Sequence, residues 1–196
     1  MNLRFALMPL ALAVAAGGAS IPLTGCAPIM IAAAVGGTAM VASDRRSAGA
    51  QLDDETIELR SSTSIGTGFG DRVHVNVTSF NGTVLVTGEV PDQATQDEVL
   101  ATVRRQDRVR NVQNELVIAP TTNLGNRSND TLITSKVKAR FIEANQFAAT
   151  HVKVVTERGV VYLMGIVTRT EADTASRLAA QTSGVTRVVR VFEYMG

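Results

Sequence analysis

Few residues in this chain have the type and spacing to do chemistry. Cys26 is the only cysteine and follows Leu23-Thr24-Gly25 after an apolar start. A lone thiol there has no disulfide to build, so it is a candidate for covalent modification. His74 and His151 are the only histidines, 77 residues apart, each just before a strand-like run. That placement speaks for repeat equivalence or packing rather than a metal pair. No Ser-His-Asp grouping or paired carboxylate stands out, so the chain reads as non-enzymatic, with no metal and no cofactor. Gly66-Thr67-Gly68-Phe69-Gly70 mimics a phosphate-binding loop in composition. It precedes a strand instead of joining strand to helix, so it lacks the helix N-terminus that would hold phosphate. The remaining candidates are Leu132, Lys136 and Arg140 at i, i+4 and i+8, with Lys138 to one side. An apolar residue heading a row of cations suits a helix at an anionic lipid surface, where Leu132 dips among acyl chains and the cations meet phosphates. A solvated charged face with Leu132 tucked against the preceding loop is the alternative.

The segment before Cys26 has one early cation, Arg4, then an apolar run from Phe5 to Ala16. A short apolar run with its charge at the front reads as a secretory signal over residues 1–25, not a membrane span. Leu23-Thr24-Gly25-Cys26 resembles the bacterial lipobox, at which the cysteine is acylated and becomes the mature N-terminus. Ala27 follows it, and by the same resemblance the address is the outer membrane, facing the periplasm. Residues 27–42 form a second apolar stretch, broken by Gly36-Gly37 and too short to span confidently. Residues 26–50 therefore read as an acylated N-terminus and a tether.

The elements that must position the candidates come in duplicate. Val152–Val167 alternates, turns at Arg158-Gly159 and alternates again, as a β-hairpin requires. Val75–Val90 does the same, with Gly82 at the place of Gly159 and Gly88 at that of Gly165, 77 residues earlier. These four glycines read as backbone requirements and the valines as core. The first copy, residues 51–119, opens with Asp53 or Asp54 as helix cap, and its helix fades after Arg60 into a Ser- and Gly-rich loop. Its second helix, Gln93–Arg105, carries Ala94, Val99 and Val103 on one stripe, and strand Val112–Ile118 ends the copy. After a linker at 120–127, the second copy, 128–196, starts at the cap cluster Ser128-Asn129-Asp130. It continues with helix Thr131–Ala144, the hairpin, helix Thr170–Gln181 and strand Val188–Tyr194. Each copy is thus α-β-β-α-β: an α+β fold with a three-stranded mixed sheet and two helices on one face. Units this small are marginal alone, so contact between them is expected.

Charge is split between the copies. Residues 51–119 carry 6 cations against 11 anions, net −5, and residues 127–196 carry 10 against 6, net +4. One copy repels an anionic surface and the other is drawn to it. The acidic residues Asp92, Asp97, Glu98 and Asp107 are candidates for docking a basic partner or the second copy itself. Nucleic acid is not expected as a partner of an exported protein.

Val152, Val154, Gly159, Val161, Leu163, Gly165, Val167, Gly184, Val185 and Val188 together resemble the BON domain. With the lipobox, Met40–Arg46 and Ser128–Thr131, the whole chain resembles the dual-BON outer-membrane lipoproteins; the first copy departs in its glycine-rich opening. The resemblance implies binding of anionic phospholipids such as phosphatidylglycerol and cardiolipin through the first helix of the second domain. It also implies a role in envelope integrity, location at the division site and a link to the outer-membrane β-barrel assembly machinery.

Overall fold

Alternation in the two hairpins and two duplicated helices build the architecture of the computed structural model, which describes residues 44–120 and 124–196. In the first copy the elements are α1 (Ala48–Phe69), β1 (His74–Phe80), β2 (Thr83–Val90), α2 (Gln93–Arg104) and β3 (Asn111–Ile118). The second copy has α3 (Leu124–Ala144), β4 (Lys153–Glu157), β5 (Val160–Val167), α4 (Arg169–Ala180) and β6 (Arg187–Tyr194). Each sheet has its second strand in the middle, antiparallel to the first and parallel to the third. The hairpin turns put Asn81-Gly82 and Arg158-Gly159 at positive φ (51° and 75°, 52° and 73°), the geometry that matches strand twist. Gly88 and Gly165 are needed for another reason. A Cβ there would lie 1.9 Å from the His74 carbonyl oxygen and 2.2 Å from that of His151.

Two helix starts differ from the sequence expectation. Helix α1 begins at Ala48, capped by the Ser47 side chain, and does not fade after Arg60. Its Ser- and Gly-rich second half stays helical because Ser61 and Ile65 continue the buried row begun by Ile57; tertiary packing overrides weak propensity. Helix α3 likewise starts at Leu124, inside the stretch expected to be linker and ahead of the expected cap. Asp54 and Asp130 are therefore not caps of their own helices. Both are buried and reach the hairpin turn of their copy. Asp130 accepts hydrogen bonds from the backbone N–H of Arg158 (2.8 Å) and Gly159 (2.8 Å). Asp54 accepts from the N–H of Asn81 (2.7 Å) and Gly82 (2.9 Å) and from the Ser79 hydroxyl (2.6 Å). In α2, Ala94 is exposed, and Thr95 and Gln96 are buried beside Val99, Leu100 and Val103.

The helices of each copy cover one sheet face, and the two remaining faces cover each other, giving four layers, α/β/β/α. Val84, Val86 and Val90 of β2 face α1 and α2, and Val161, Leu163 and Val167 of β5 face α3 and α4. The alternate residues Phe80, Leu85, Tyr162 and Met164 form the seam between the copies. Burial, with the Glu115 carboxylate next, pushes the Tyr162 hydroxyl up to about 12. The charge split is used here. Glu58, Glu89 and Glu115 of the first copy meet Lys153 (2.8 Å), Arg158 (3.4 Å) and Arg187 (3.5 Å) of the second.

The segment ahead of α1 ties both copies together. Arg45 grips Glu171 through both terminal nitrogens (2.7 and 2.8 Å) and donates to the Ile166 carbonyl. Arg46 binds Asp54 (2.9 Å) and Asp44 (2.8 Å) and lies 4.1 Å over the Phe80 ring. Glu171 also closes a capping box with Thr168, and the Arg45 guanidinium beside it holds its carboxyl down at about 2.

Candidate functional site

Helix α3 has one face committed to the core and one left exposed among the described residues. Ile133, Val137 and Phe141 are buried against β4, β5 and α4. On the far side Leu132 is 59% exposed and Ile142 67% exposed. At 100° per residue, Leu132, Ser135, Ala139 and Ile142 share one arc of about 80°, with the two large side chains about 15 Å apart along the axis. All four are exposed, as are Lys136 and Lys138, which flank the arc on opposite sides. Glu143 is the one acid on this face. The surface is an apolar strip with a cation on either edge.

Three of the four sequence candidates, Leu132, Lys136 and Lys138, come together here. Arg140 does not join them: it is half-buried, with one terminal guanidinium nitrogen enclosed. The i, i+4, i+8 row drifts by about 40° per step around the helix, which carries its third member toward the domain body. Ile142 was missed, although its spacing of ten residues from Leu132 was readable once the buried side was fixed by Ile133, Val137 and Phe141.

Cys26 lies outside the described residues, as does the stretch 27–42. Each histidine lies beside a glutamate. His74 Nε2 is 3.7 Å from Glu157, and His151 Nδ1 is 3.3 Å from Glu171. Among the described residues no group of three or more His, Cys, Asp or Glu is placed to hold a metal ion. Gly66–Gly70 is the end of α1 and its cap, not a phosphate loop. Of the four acids proposed for docking, Asp92 caps α2 through the Thr95 N–H, Asp97 accepts from Gln93, and Asp107 pairs with Arg60 at the surface.

The duplicated α-β-β-α-β unit is matched by a family model, the BON domain, at residues 53–120 and again at 129–196. The chain belongs to the BON-domain family. It is 37% identical to the outer membrane lipoprotein DolP of Haemophilus influenzae over 183 residues, 91% of this chain and 93% of that one. It is 31% identical to the 21 kDa hemolysin of Actinobacillus pleuropneumoniae over 78% of this chain and 79% of that one. Osmotically-inducible protein Y of Escherichia coli is 29% identical over 58% of each chain. No helix among the described residues is long and apolar enough to cross a membrane.

Proposed function

We propose that this protein is a non-enzymatic outer-membrane lipoprotein, acylated at Cys26, whose second BON domain binds anionic phospholipid through the outer face of α3. The observation that carries the reading is the pairing of exposed Leu132 and Ile142 with flanking Lys136 and Lys138 on a helix whose other side is core. Kinship with an outer membrane lipoprotein supports the address. Insertion of the two aliphatic side chains to the depth of the headgroups would hold the helix in the interface plane, and each lysine near anionic lipid adds on the order of 1 kcal/mol. Such binding is weak alone. A tether raises the local lipid concentration and makes it effective, which fits a domain that selects lipid rather than one that supplies the anchor. Through that selection the protein supports envelope integrity and reaches the division site. The alternative is a periplasmic protein-interaction adaptor for outer-membrane β-barrel assembly, with the acidic first BON domain as its docking surface.

The test is flotation of the Cys26→Ser protein with phosphatidylglycerol–cardiolipin vesicles and with phosphatidylcholine vesicles. Binding is expected only to the anionic set. Lys136→Glu with Lys138→Glu lowers it at least tenfold, and Leu132→Asp with Ile142→Asp abolishes it. Undiminished binding by either folded variant refutes the site.

A further inference from the structure

A second feature of the basic copy is not used by the lipid-facing helix. A groove of about 440 Å³ runs between α4 and β6, lined among others by Asp173, Arg177, Val185, Arg187, Val188 and Arg190. β6 is the last strand of its sheet, so among the described residues one edge of its backbone pairs with no strand. Val188 points to the helix-side core, and Arg190 emerges on the same side beside Asp173 (2.7 Å). Arg187 leaves on the opposite side, toward Glu115 (3.5 Å), and Arg177 reaches down from α4, where Gln146 accepts from it (3.1 Å).

The duplication supplies an internal control. Register equates Arg187 with Asn111 and Arg190 with Asn114, because Thr83 and Val160 are the partners that open the two parallel ladders. The N-caps Asp92 and Thr168 equate Arg177 with Ala101 and Asp173 with Asp97. The same fold is therefore built in the first copy without any of the three arginines; its α2 has Arg104 at the place of Ala180, but β3 holds no cation. Protection of a sheet edge by charge would apply equally to β3, which occupies the same edge position. Arg187 serves the seam through Glu115, whereas Arg177 and Arg190 make no contact between the copies and have no cation at their places in the first copy.

We propose that this groove docks an acidic, extended peptide segment of a partner protein, which adds to β6 as a fourth strand. The cations are spread along the edge, Arg187 and Arg190 lying about 10 Å apart on the strand, and do not converge on one point as an isolated phosphate would need. The partners of Arg177 and Arg190 are exposed, Gln146 for the one and Asp173 with Tyr194 for the other, and the carboxylates of an incoming strand exchange for them. Main-chain hydrogen bonds to β6 supply affinity, and alternate acidic side chains on Arg177 and Arg190 supply selectivity.

The test uses the full-length protein in zwitterionic detergent micelles and a fluorescent eight-residue peptide alternating Glu and Val. Saturable binding with amide shifts along β6 is expected. The Arg177→Ala/Arg190→Asn variant, whose new residues are those the first copy already tolerates, weakens it at least tenfold at an unchanged melting temperature. A Gln–Val peptide and a peptide N-methylated at alternate residues bind at least tenfold more weakly. The proposal is overturned by absent binding, by equal binding of the double variant, by equal binding of the N-methylated peptide, or by inorganic phosphate alone reproducing the β6 shifts. The lipid-facing variants at Lys136 and Lys138 leave peptide binding unchanged, so the two readings fail separately.

Discussion

Replacing Asp130 or Asp54 by alanine probes the contact that locks helix to hairpin in each copy. Both carboxylates are buried, 7% and 2% exposed, and in each case a turn glycine N–H they accept from is buried as well. Hydrogen bonds to a charged group contribute about 1.5–3 kcal/mol each, and a buried N–H left without an acceptor costs a similar amount. Asp130 accepts two such bonds, so Asp130→Ala costs about 3 kcal/mol after the turn relaxes toward water. Asp54 also accepts from the Ser79 hydroxyl and from Arg46, and Asp54→Ala costs about 5 kcal/mol. Burial alone would raise the Asp54 carboxyl, but the bonds from Ser79, Gly82, Asn81 and Arg46 outweigh it and hold it below the usual range. At about 2–4 °C per kcal/mol for a body of this size, the melting temperature falls by roughly 6–12 °C for Asp130→Ala and by more for Asp54→Ala. Urea denaturation of the Cys26→Ser background gives the free energies. Amide exchange at Gly82 and Gly159 shows whether the loss begins at the turns. A cost below about 1 kcal/mol for both, or a larger cost for Asp130→Ala than for Asp54→Ala, refutes the reasoning.

Three glycines separate packing from propensity. Gly88→Ala and Gly165→Ala drive a methyl into the carbonyls of His74 and His151 and destabilise by at least about 3 kcal/mol, whereas Gly66→Ala, with nothing within 4 Å of its Cβ, stabilises α1 by about 1 kcal/mol. Urea midpoints of the three variants check the opposite signs. The Arg45–Glu171 contact predicts an acid limb. Because the folded carboxyl sits at about 2 against 4.5 ordinarily, its stabilisation is complete above about pH 4.5 and is lost as pH falls toward 2. Glu171→Gln is therefore less stable than the parent at pH 7, and the gap closes by about pH 2; a gap that persists there contradicts the assignment.

The hairpins were legible because period-two alternation and a Gly at a fixed place leave little choice of register. The duplication was legible because those glycines repeat at one spacing. The helix starts were not. Asp54 and Asp130 look like caps, being acidic residues ahead of apolar periodicity, and only the turn 27–29 residues later shows what they bind. The signal was present in their spacing of 76, the repeat distance of the later elements, but acid at a helix start has a ready local reading that hides a non-local one. The second half of α1 was hidden by its Gly and Ser content, since propensity carries no information about Ile65 reaching the core. At the candidate site the cations were visible and the apolar partner Ile142 was not, because a lone isoleucine beside Phe141 reads as core until the buried side is known.

The stacking of the two sheets explains why the charge split does not simply make one copy a repellent. Glu58, Glu89 and Glu115 are spent against Lys153, Arg158 and Arg187, so part of the −5 and part of the +4 cancel at the seam. What each copy then shows to the outside is its helical layer. In the second copy that layer bears Lys136 and Lys138 around an apolar strip. In the first copy the exposed Leu52 and Leu59 of α1 sit beside Asp53 and Glu55, which an anionic surface rejects. The two layers look in opposite directions, so on the proposed lipid-binding reading only one side of the body meets the membrane. Arg45 and Arg46, gripping Glu171 and Asp54 just ahead of α1, hold this segment against both copies at once. On the proposed acylation at Cys26 and lipid binding by α3, cutting that grip with Arg45→Ala and Arg46→Ala leaves α3 intact and loosens its orientation to the anchor. Vesicle binding by the Cys26→Ser form is then unchanged, whereas protection of α3 from proteolysis on the acylated, membrane-bound protein falls. Equal protection in parent and variant would show that the tether does not orient the body.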